Sequence, residues 1–224
     1  MASTSMTVPK RKQEERTREM RSRLIEATIE CLNKYGYAGT TISMIVDEAG
    51  VSRGAHLYHF ESKAALLVAT TEALIKRVYL SIGTTVPEPE PGSDYLETLI
   101  QALWAKIFLS PYGKATTEIL IAAQSDKELS MKLRKLSPRS REMFIIAADH
   151  FLESRPDSDI SPADILFLNQ WLMRGMLLER PIGSGNTKVL RSFLAKWTKM
   201  IRQFVIPREG VKGPPPKPEW WEED

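Results

Sequence analysis

The sequence predicts an all-α protein made of two helical domains. Apolar residues recur at helical spacing along most of its 224 residues, and no stretch shows the alternation of a half-buried strand. Ser, Thr, Asp and Pro at the starts of these patterns, and Gly at the end of one, are typical helix boundaries. A stretch rich in Gly, Pro and acidic residues, 84–93, separates two strong helical patterns and predicts a linker between the domains.

The segment 40–63 predicts two short helices that meet at Gly50. Thr41 can cap the first helix, and Gly50 suits the left-handed conformation that often follows a helix C-terminus. Ser52 can cap the second helix, which we expect at 53–60. This is the spacing of a helix-turn-helix, in which the second helix enters the major groove, so double-stranded DNA is the first partner to expect.

The predicted second helix supplies most of the candidate DNA contacts. Its start holds an arginine among small side chains, which let the backbone approach the base edges. Polar side chains farther along, and the hydroxyl before the first helix, can hydrogen-bond phosphates. The resulting DNA-binding candidates are Thr41, Ser52, Arg53, Gly54, Ala55, His56, Tyr58, His59 and Lys63. The alternative is an ordinary helical corner, with His56 and His59 as surface or half-buried residues.

The charge distribution adds modest support for DNA as the partner. The formal net charge of +3 lies in the first 83 residues, and the rest of the chain is balanced. Basic residues gather just before and at the start of the first long helix: Lys10, Arg11, Lys12, Arg16, Arg18, Arg21 and Arg23. We interpret 1–19 as a basic, flexible arm that adds general affinity for the DNA backbone. A solvated tail without such a role is the alternative.

Several short motifs occur in a fixed order between residues 20 and 83. They are Tyr35-Gly36-Tyr37, Thr40-Thr41-Ile42, Ala49-Gly50-Val51-Ser52-Arg53-Gly54 and His59-Phe60-Glu61-Ser62-Lys63. In order and spacing the segment 20–83 resembles the N-terminal DNA-binding domain of the tetracycline-repressor (TetR) family. The resemblance implies a dimeric, all-helical transcription regulator, usually a repressor, which a small molecule held in the C-terminal domain releases from its operator.

The chain departs from that family at two places in the helix-turn-helix. Val46 stands where alanine is usual. In the second helix the family has an apolar residue followed by tyrosine, whereas here His56 is followed by Leu57, and Tyr58 comes one place late. The sequence leaves open whether His56 faces the core or the groove. Since Leu57 replaces the usual phosphate-binding tyrosine, Tyr58 is the expected substitute.

The C-terminal domain is expected at 94–206, because helix-start residues mark its patterns. The marked starts are Asp94, Pro111, Ser137-Pro138 and Ser161-Pro162. The tail that follows, 207–224, holds too many prolines for a helix and should be extended. Its composition favours disorder, although Trp220 and Trp221 could dock on a groove or on a neighbouring chain.

The helix after Pro162 is apolar on nearly every side and therefore needs cover on more than one face. The last helix offers an apolar stripe, and pairing both helices with their copies would form a four-helix contact in a homodimer. The predicted interface residues are Leu168, Trp171, Leu172, Gly175, Met176, Leu190, Phe193, Leu194, Trp197 and Ile201. Internal packing within a monomer is the alternative.

An effector site is predicted from bulky residues on the helices that the family places around its cavity. These ligand-binding candidates are Trp104, Phe108, Ile119, Met143, Phe144, His150 and Phe167. Their character suggests an apolar effector. Such stripes are also typical of plain core, and His150 among apolar neighbours is more typical of a satisfied core histidine.

Other functional classes receive little support from the sequence. The apolar run after Pro162 is shorter than the ~20 residues of a membrane span and contains Arg174. No secretory signal is evident, and a lone Cys31 fits a reducing cytoplasm. We find no phosphate loop, nucleophile elbow or spaced set of metal ligands, so no cofactor, metal or catalytic residue is predicted. The alternatives to a ligand-responsive regulator are a sequence-tolerant architectural DNA-binding protein and, less favoured, an all-helical enzyme.

Overall fold

Helices make up most of the chain that the computed structural model describes, which is residues 10–85, 94–182, 187–211 and 213–223. In these ranges the α-helices are α1 Lys10–Gly39, α2 Ile42–Ala49, α3 Arg53–His59, α4 Lys63–Thr85, α5 Tyr95–Ala102, α6 Pro111–Ser125, α7 Lys127–Arg134, α8 Ser137–Phe151, α9 Pro162–Glu179 and α10 Thr187–Ile201. The all-α class is thus confirmed. Helix α1 begins at Lys10, so part of the predicted flexible arm is helical; residues 1–9 and most of the linker lie outside the described ranges.

The predicted helix starts at Asp94 and Ser161 are confirmed by capping hydrogen bonds. The Asp94 carboxylate accepts from the Glu97 backbone N–H at 3.3 Å. Ser161 and Asp164 form a reciprocal capping box at the start of α9. A new helix does begin at Ser137, with Pro138 in its first turn, where proline needs no N–H partner.

Two short features were not predicted. Leu152–Ser154 (β1) pairs antiparallel with Val205–Pro207 (β2), with Leu152 opposite Pro207. Strands of three residues are too short to leave an alternating pattern in the sequence. The helix α5 continues as a π-helical turn, Leu103–Phe108. Gly113 follows at the start of α6, where a Cβ would lie 2.4 Å from the Ile107 carbonyl oxygen, so the close approach requires glycine.

One compact unit contains residues 10–73 and 118–132. Its core includes Leu24 of α1, Ile45 of α2, Phe60 just after α3 and Leu66 of α4. The segment 118–132 is held by polar contacts: the Tyr37 backbone N–H donates to Glu118 Oε2 at 2.8 Å, and the Tyr37 hydroxyl donates to Asp126 Oδ2 at 3.0 Å. This unit is therefore not the sequential 20–83 domain of the sequence analysis, because a later segment belongs to it.

The second compact unit contains residues 74–117 and the described part of 133–223. Its core includes Trp104, Met143, Met173 and Leu194. Helices α8 and α9 pack together, and α10 packs on α5. None of the described helices has the length and apolar character needed to cross a membrane.

The Pro-rich tail is docked on the second unit, so the expectation of disorder is wrong for its described residues. The Tyr79 hydroxyl donates to the Pro216 carbonyl at 2.7 Å, and the Trp220 indole N–H donates to Glu142 Oε2 at 2.7 Å. The rings of Tyr79 and Trp221 lie 5.6 Å apart. The two half-buried indoles lie in a 3₁₀ turn, Glu219–Glu223, so this part of the tail is not extended as predicted.

Candidate nucleic-acid interface

The turn between α2 and α3 is formed by local capping. The Thr41 hydroxyl accepts from the Met44 backbone N–H at 3.3 Å at the start of α2. Gly50 is left-handed, with φ 62° and ψ 40°, and its N–H donates to the Asp47 carbonyl at 3.1 Å. A residue with a Cβ would be strained in that conformation. The predicted helix-turn-helix is therefore confirmed, with α3 shorter by one residue than expected.

Two arginines of α1 hold this turn and the end of α3. Arg23 donates to the Ala49 carbonyl at 2.6 Å, and Arg21 donates to the His59 carbonyl at 3.0 Å. The Arg21 guanidinium also lies 4.5 Å from the centre of the Phe60 ring. Both arginines belong to the basic run that was predicted to lie along the DNA backbone. Their positioning role depends on tertiary contacts that no local spacing reveals.

The rotation of α3 about its axis is defined by two buried side chains, His56 and Phe60. His56 is 3% exposed, which contradicts its prediction as a base contact. In the TetR family this position usually holds an apolar residue, and here His56 fills the same place in the core. The exposed face of α3 is therefore formed by other residues. Among the residues of α3 whose burial is described, that face holds Arg53, Gly54, Leu57 and Tyr58.

The exposed face of α3 contains both residues that were predicted to contact DNA and one that was not. Arg53 and Gly54 are exposed as expected, and Tyr58 is 74% exposed. Leu57 is 71% exposed and was not among the predicted contacts. Ser52 is exposed just before α3. Ala55 lies in α3, but its side chain is outside the described part of the structure.

The buried position of His56 disfavours the charged form of its imidazole. Burial lowers the pKa of its imidazole below the ordinary value of 6.5. Its Nε2 is buried and has no hydrogen-bond partner among the described residues. Since an unpaired polar atom in a core is costly, His56 is a structural compromise and not a group available to DNA.

The predicted phosphate contacts have different surroundings. The Lys63 ammonium donates to the Thr40 carbonyl at 2.5 Å and lies 4.1 Å from the centre of the Tyr37 ring. Burial lowers the pKa of Lys63. Because its ammonium is directed at carbonyls inside the unit, the structure does not support a phosphate contact by Lys63. Thr41, by contrast, is exposed.

His59 is half-buried and packs against the exposed tyrosine of α3. Its ring lies 4.9 Å from that of Tyr58 in an edge-on arrangement. Burial, and then the positive charge of Arg21, lower the pKa of His59. The neutral imidazole can donate one hydrogen bond but adds no charge toward a phosphate.

The ligand-binding candidates are not brought together into one lining. Trp104 and Met143 are buried in the core of the second unit, with Phe108 packed against it. The rings of Phe144 and Phe167 lie 5.5 Å apart. The remaining two lie elsewhere: Ile119 belongs to the first unit, and His150 Nε2 is 3.4 Å from the Gly213 carbonyl of the tail.

The candidate dimer residues divide into a buried and an exposed set. Leu190, Leu194 and Ile201 are 6%, 0% and 1% exposed, so they belong to the core and cannot form an interface without unfolding it. Trp197 is half-buried and donates its indole N–H to Asn169 at 3.1 Å. The exposed or partly exposed remainder is Leu168, Trp171, Leu172, Gly175, Met176 and Phe193.

Comparison with known proteins identifies the group to which this fold belongs. A family model described as bacterial regulatory proteins, tetR family, matches residues 24–81. The HTH-type transcriptional regulator CymR of Pseudomonas putida is 30% identical over 171 residues, which cover 76% of this chain and 84% of CymR. The chain belongs to the TetR family. The family model and this relative both describe transcriptional regulators.

Solved structures of other proteins have the same fold. A TetR transcription regulator from Haloarcula marismortui superimposes with a TM-score of 0.59 at 22% identity, covering 82% of this chain and 98% of that one. The NemR protein of E. coli superimposes with a TM-score of 0.58 at 17% identity, covering 88% of this chain and all of NemR (100%). In the part of the chain that the structure describes, no three His, Cys, Asp or Glu side chains are placed so that they could hold a metal ion.

Proposed function

We propose that this TetR-family regulator is a ligand-responsive repressor that binds a near-palindromic operator as a homodimer. The observation that carries the proposal is the exposed face of α3, on which Arg53 projects while His56 and Phe60 anchor the helix from behind. An exposed arginine at the start of a recognition helix suits a bidentate contact with guanine in the major groove. Tyr58 can donate to a phosphate and so fix the position of the helix.

The exposed apolar face of α9 and α10 supports the homodimer. Trp171 is 64% exposed and Phe193 is 55% exposed, although large aromatic side chains are usually covered. A symmetric contact between two copies would bury both. A homodimer also supplies two recognition helices, one for each half-site of a near-palindrome.

The effector is proposed to be a small, apolar molecule bound in the second unit. The support for an apolar effector is the apolar character of the core of that unit around Trp104, Phe108 and Met143. Helix α4 begins in the first unit and ends in the second, so a change in its tilt is a direct route for coupling. A coupling free energy of roughly 1 to 3 kcal/mol would alter operator affinity by about 5- to 150-fold.

The test begins with selection of bound fragments from genomic DNA, followed by affinity measurements on the selected duplex and on a random one. We expect Arg53→Ala to lose about 1 to 3 kcal/mol on the selected duplex and little on the random one. The matched control is Arg134→Ala, which removes an exposed arginine at the end of α7. Equal losses on both duplexes would contradict a base contact by Arg53, and selection of no sequence would contradict operator binding.

A further inference from the structure

The side chain of Leu57 lies in the open on the one helix that a helix-turn-helix protein inserts into DNA. It is 71% exposed, whereas the other described side chains that α3 exposes fully to solvent are the charged Arg53 and the phenol of Tyr58. Burial in the core does not explain a leucine at this position. A leucine gains free energy only when apolar surface covers it.

The anchoring of α3 determines where Leu57 points. His56 and Phe60 are buried, at 3% and 4% exposure, so the helix cannot rotate without withdrawing them from the core. Residues four apart lie on the same side of a helix, which places Leu57 one turn beyond Arg53 on the exposed face. Any docking that brings Arg53 to the base edges therefore brings Leu57 there as well.

The distance between the two positions limits the bases that Leu57 can reach. Four residues of α-helix rise about 6 Å, and neighbouring base pairs are about 3.4 Å apart. Leu57 should therefore lie within about two base pairs of the base that Arg53 contacts. Tyr58 is offset by one residue and can turn its hydroxyl to the backbone.

The chemistry of the major groove offers one partner for a leucine. Base edges there present hydrogen-bond donors and acceptors, with which an isobutyl group cannot bond, and one apolar group, the C5-methyl of thymine. We propose that Leu57 is a specificity-determining residue that packs on the methyl group of a thymine within about two base pairs of the guanine bound by Arg53. This inference rests on the proposed operator binding.

The decisive experiment removes only the methyl group. In the selected operator each thymine is replaced in turn by uracil, which keeps every hydrogen-bonding group, and the affinity of the full-length protein is measured. We expect one thymine of each half-site to matter, with about a fourfold loss on substitution, the effect of one buried methyl-sized group. Substitution in both half-sites should cost roughly 15-fold, since distant contacts add.

The protein side of the experiment identifies the residue. Leu57→Ala should bind the thymine operator more weakly and should no longer distinguish thymine from uracil, whereas Leu57→Met should keep most of the difference. Tyr58→Phe, the matched control at the neighbouring exposed position, should bind more weakly but keep the full difference. Because Leu57 and Tyr58 are exposed, circular dichroism melting should show that all three variants remain folded.

Three results would overturn the inference. Wild-type affinity could be unchanged by every uracil substitution, the selected operator could lack a thymine within about two base pairs of the guanine, or Leu57→Ala could remain as sensitive to uracil as the wild type. Each of these leaves operator binding intact. If no sequence is selected at all, the proposed function fails first, and the inference fails with it.

Discussion

At the scale of single residues, His56 combines a buried position with an unpaired nitrogen. Its pKa is lowered by burial, so the folded protein binds a proton less readily than the unfolded chain. The free energy of unfolding therefore rises with pH as His56 loses its proton. The contribution of His56 is fully present above its ordinary pKa of 6.5 and is lost as the pH falls through the lowered pKa of the folded state. His59 has a lowered pKa as well and adds to the same trend.

Replacement of His56 by leucine tests this account. We expect His56→Leu to raise the free energy of unfolding by about 1 to 3 kcal/mol, because the substitution removes an unpaired buried nitrogen and keeps a similar volume. It should also reduce, without abolishing, the loss of stability below pH 6.5, since His59 remains. Urea unfolding followed at several pH values measures both effects. A variant with the stability and pH profile of the wild type would show that His56 is not buried as described.

At the scale of secondary-structure elements, Lys63 joins the start of α4 to the end of α1 and the start of α2. Its ammonium is bound by the Thr40 carbonyl and lies over the Tyr37 ring. The Tyr37 hydroxyl in turn donates to Asp126, just before α7. Lys63 thus stabilises the corner from which the helix-turn-helix begins, although its charge and position first suggested a phosphate contact.

Substitution of Lys63 distinguishes these two roles. We expect Lys63→Met to lower the free energy of unfolding by about 1 to 2 kcal/mol, because hydrogen bonds from a charged group to buried carbonyls are lost. The dependence of DNA affinity on salt should keep its slope, whereas loss of a phosphate contact would reduce the slope by about one. Lys34→Met, which removes an exposed ion pair with Glu48, is the matched control. A reduced slope in Lys63→Met alone would restore the phosphate role.

The docked tail shows how far the elements themselves could be predicted. Local signals predicted α2, α5 and α9, because a cap and an apolar face lie within a few residues of each other, and they predicted α8 from the proline in its first turn. The sequence of the tail contains prolines and two tryptophans but no local signal of where it packs. Its order depends on Tyr79 and Glu142, which are distant in the sequence and which no local pattern connects to it.

At the scale of the whole molecule, the dimer proposal depends on the exposed part of α9 and α10. We expect Trp171→Glu to produce a monomer, because burial of an unpaired carboxylate in an apolar interface is strongly unfavourable. The monomer should lose cooperative operator binding while its circular dichroism spectrum stays helical. Sedimentation and titration of the selected duplex measure the two effects. Met131→Glu, at a position that is 61% exposed in the first unit, is the control. A Trp171→Glu dimer of normal affinity would refute the proposed interface.

The dimer candidates also show the limit of periodicity. The stripe of α10 was predicted correctly as apolar, but a helix has two sides on which apolar residues can lie. Leu190 and Leu194 face the core, and Phe193, between them in sequence, faces outward. Which apolar side meets the core is decided by the neighbouring helix, which the stripe alone does not identify.

The sequence by itself determined the helical class, the helix-turn-helix and the placement of Arg53 at the start of the recognition helix. Those features depend on caps, on a left-handed glycine and on spacing, all of which act over a few residues. Only the tertiary structure decided that His56 faces inward and Leu57 outward, that Lys63 binds backbone carbonyls, and that the tail is docked. These depend on contacts between residues far apart in the chain, where packing of the core overrides local preference.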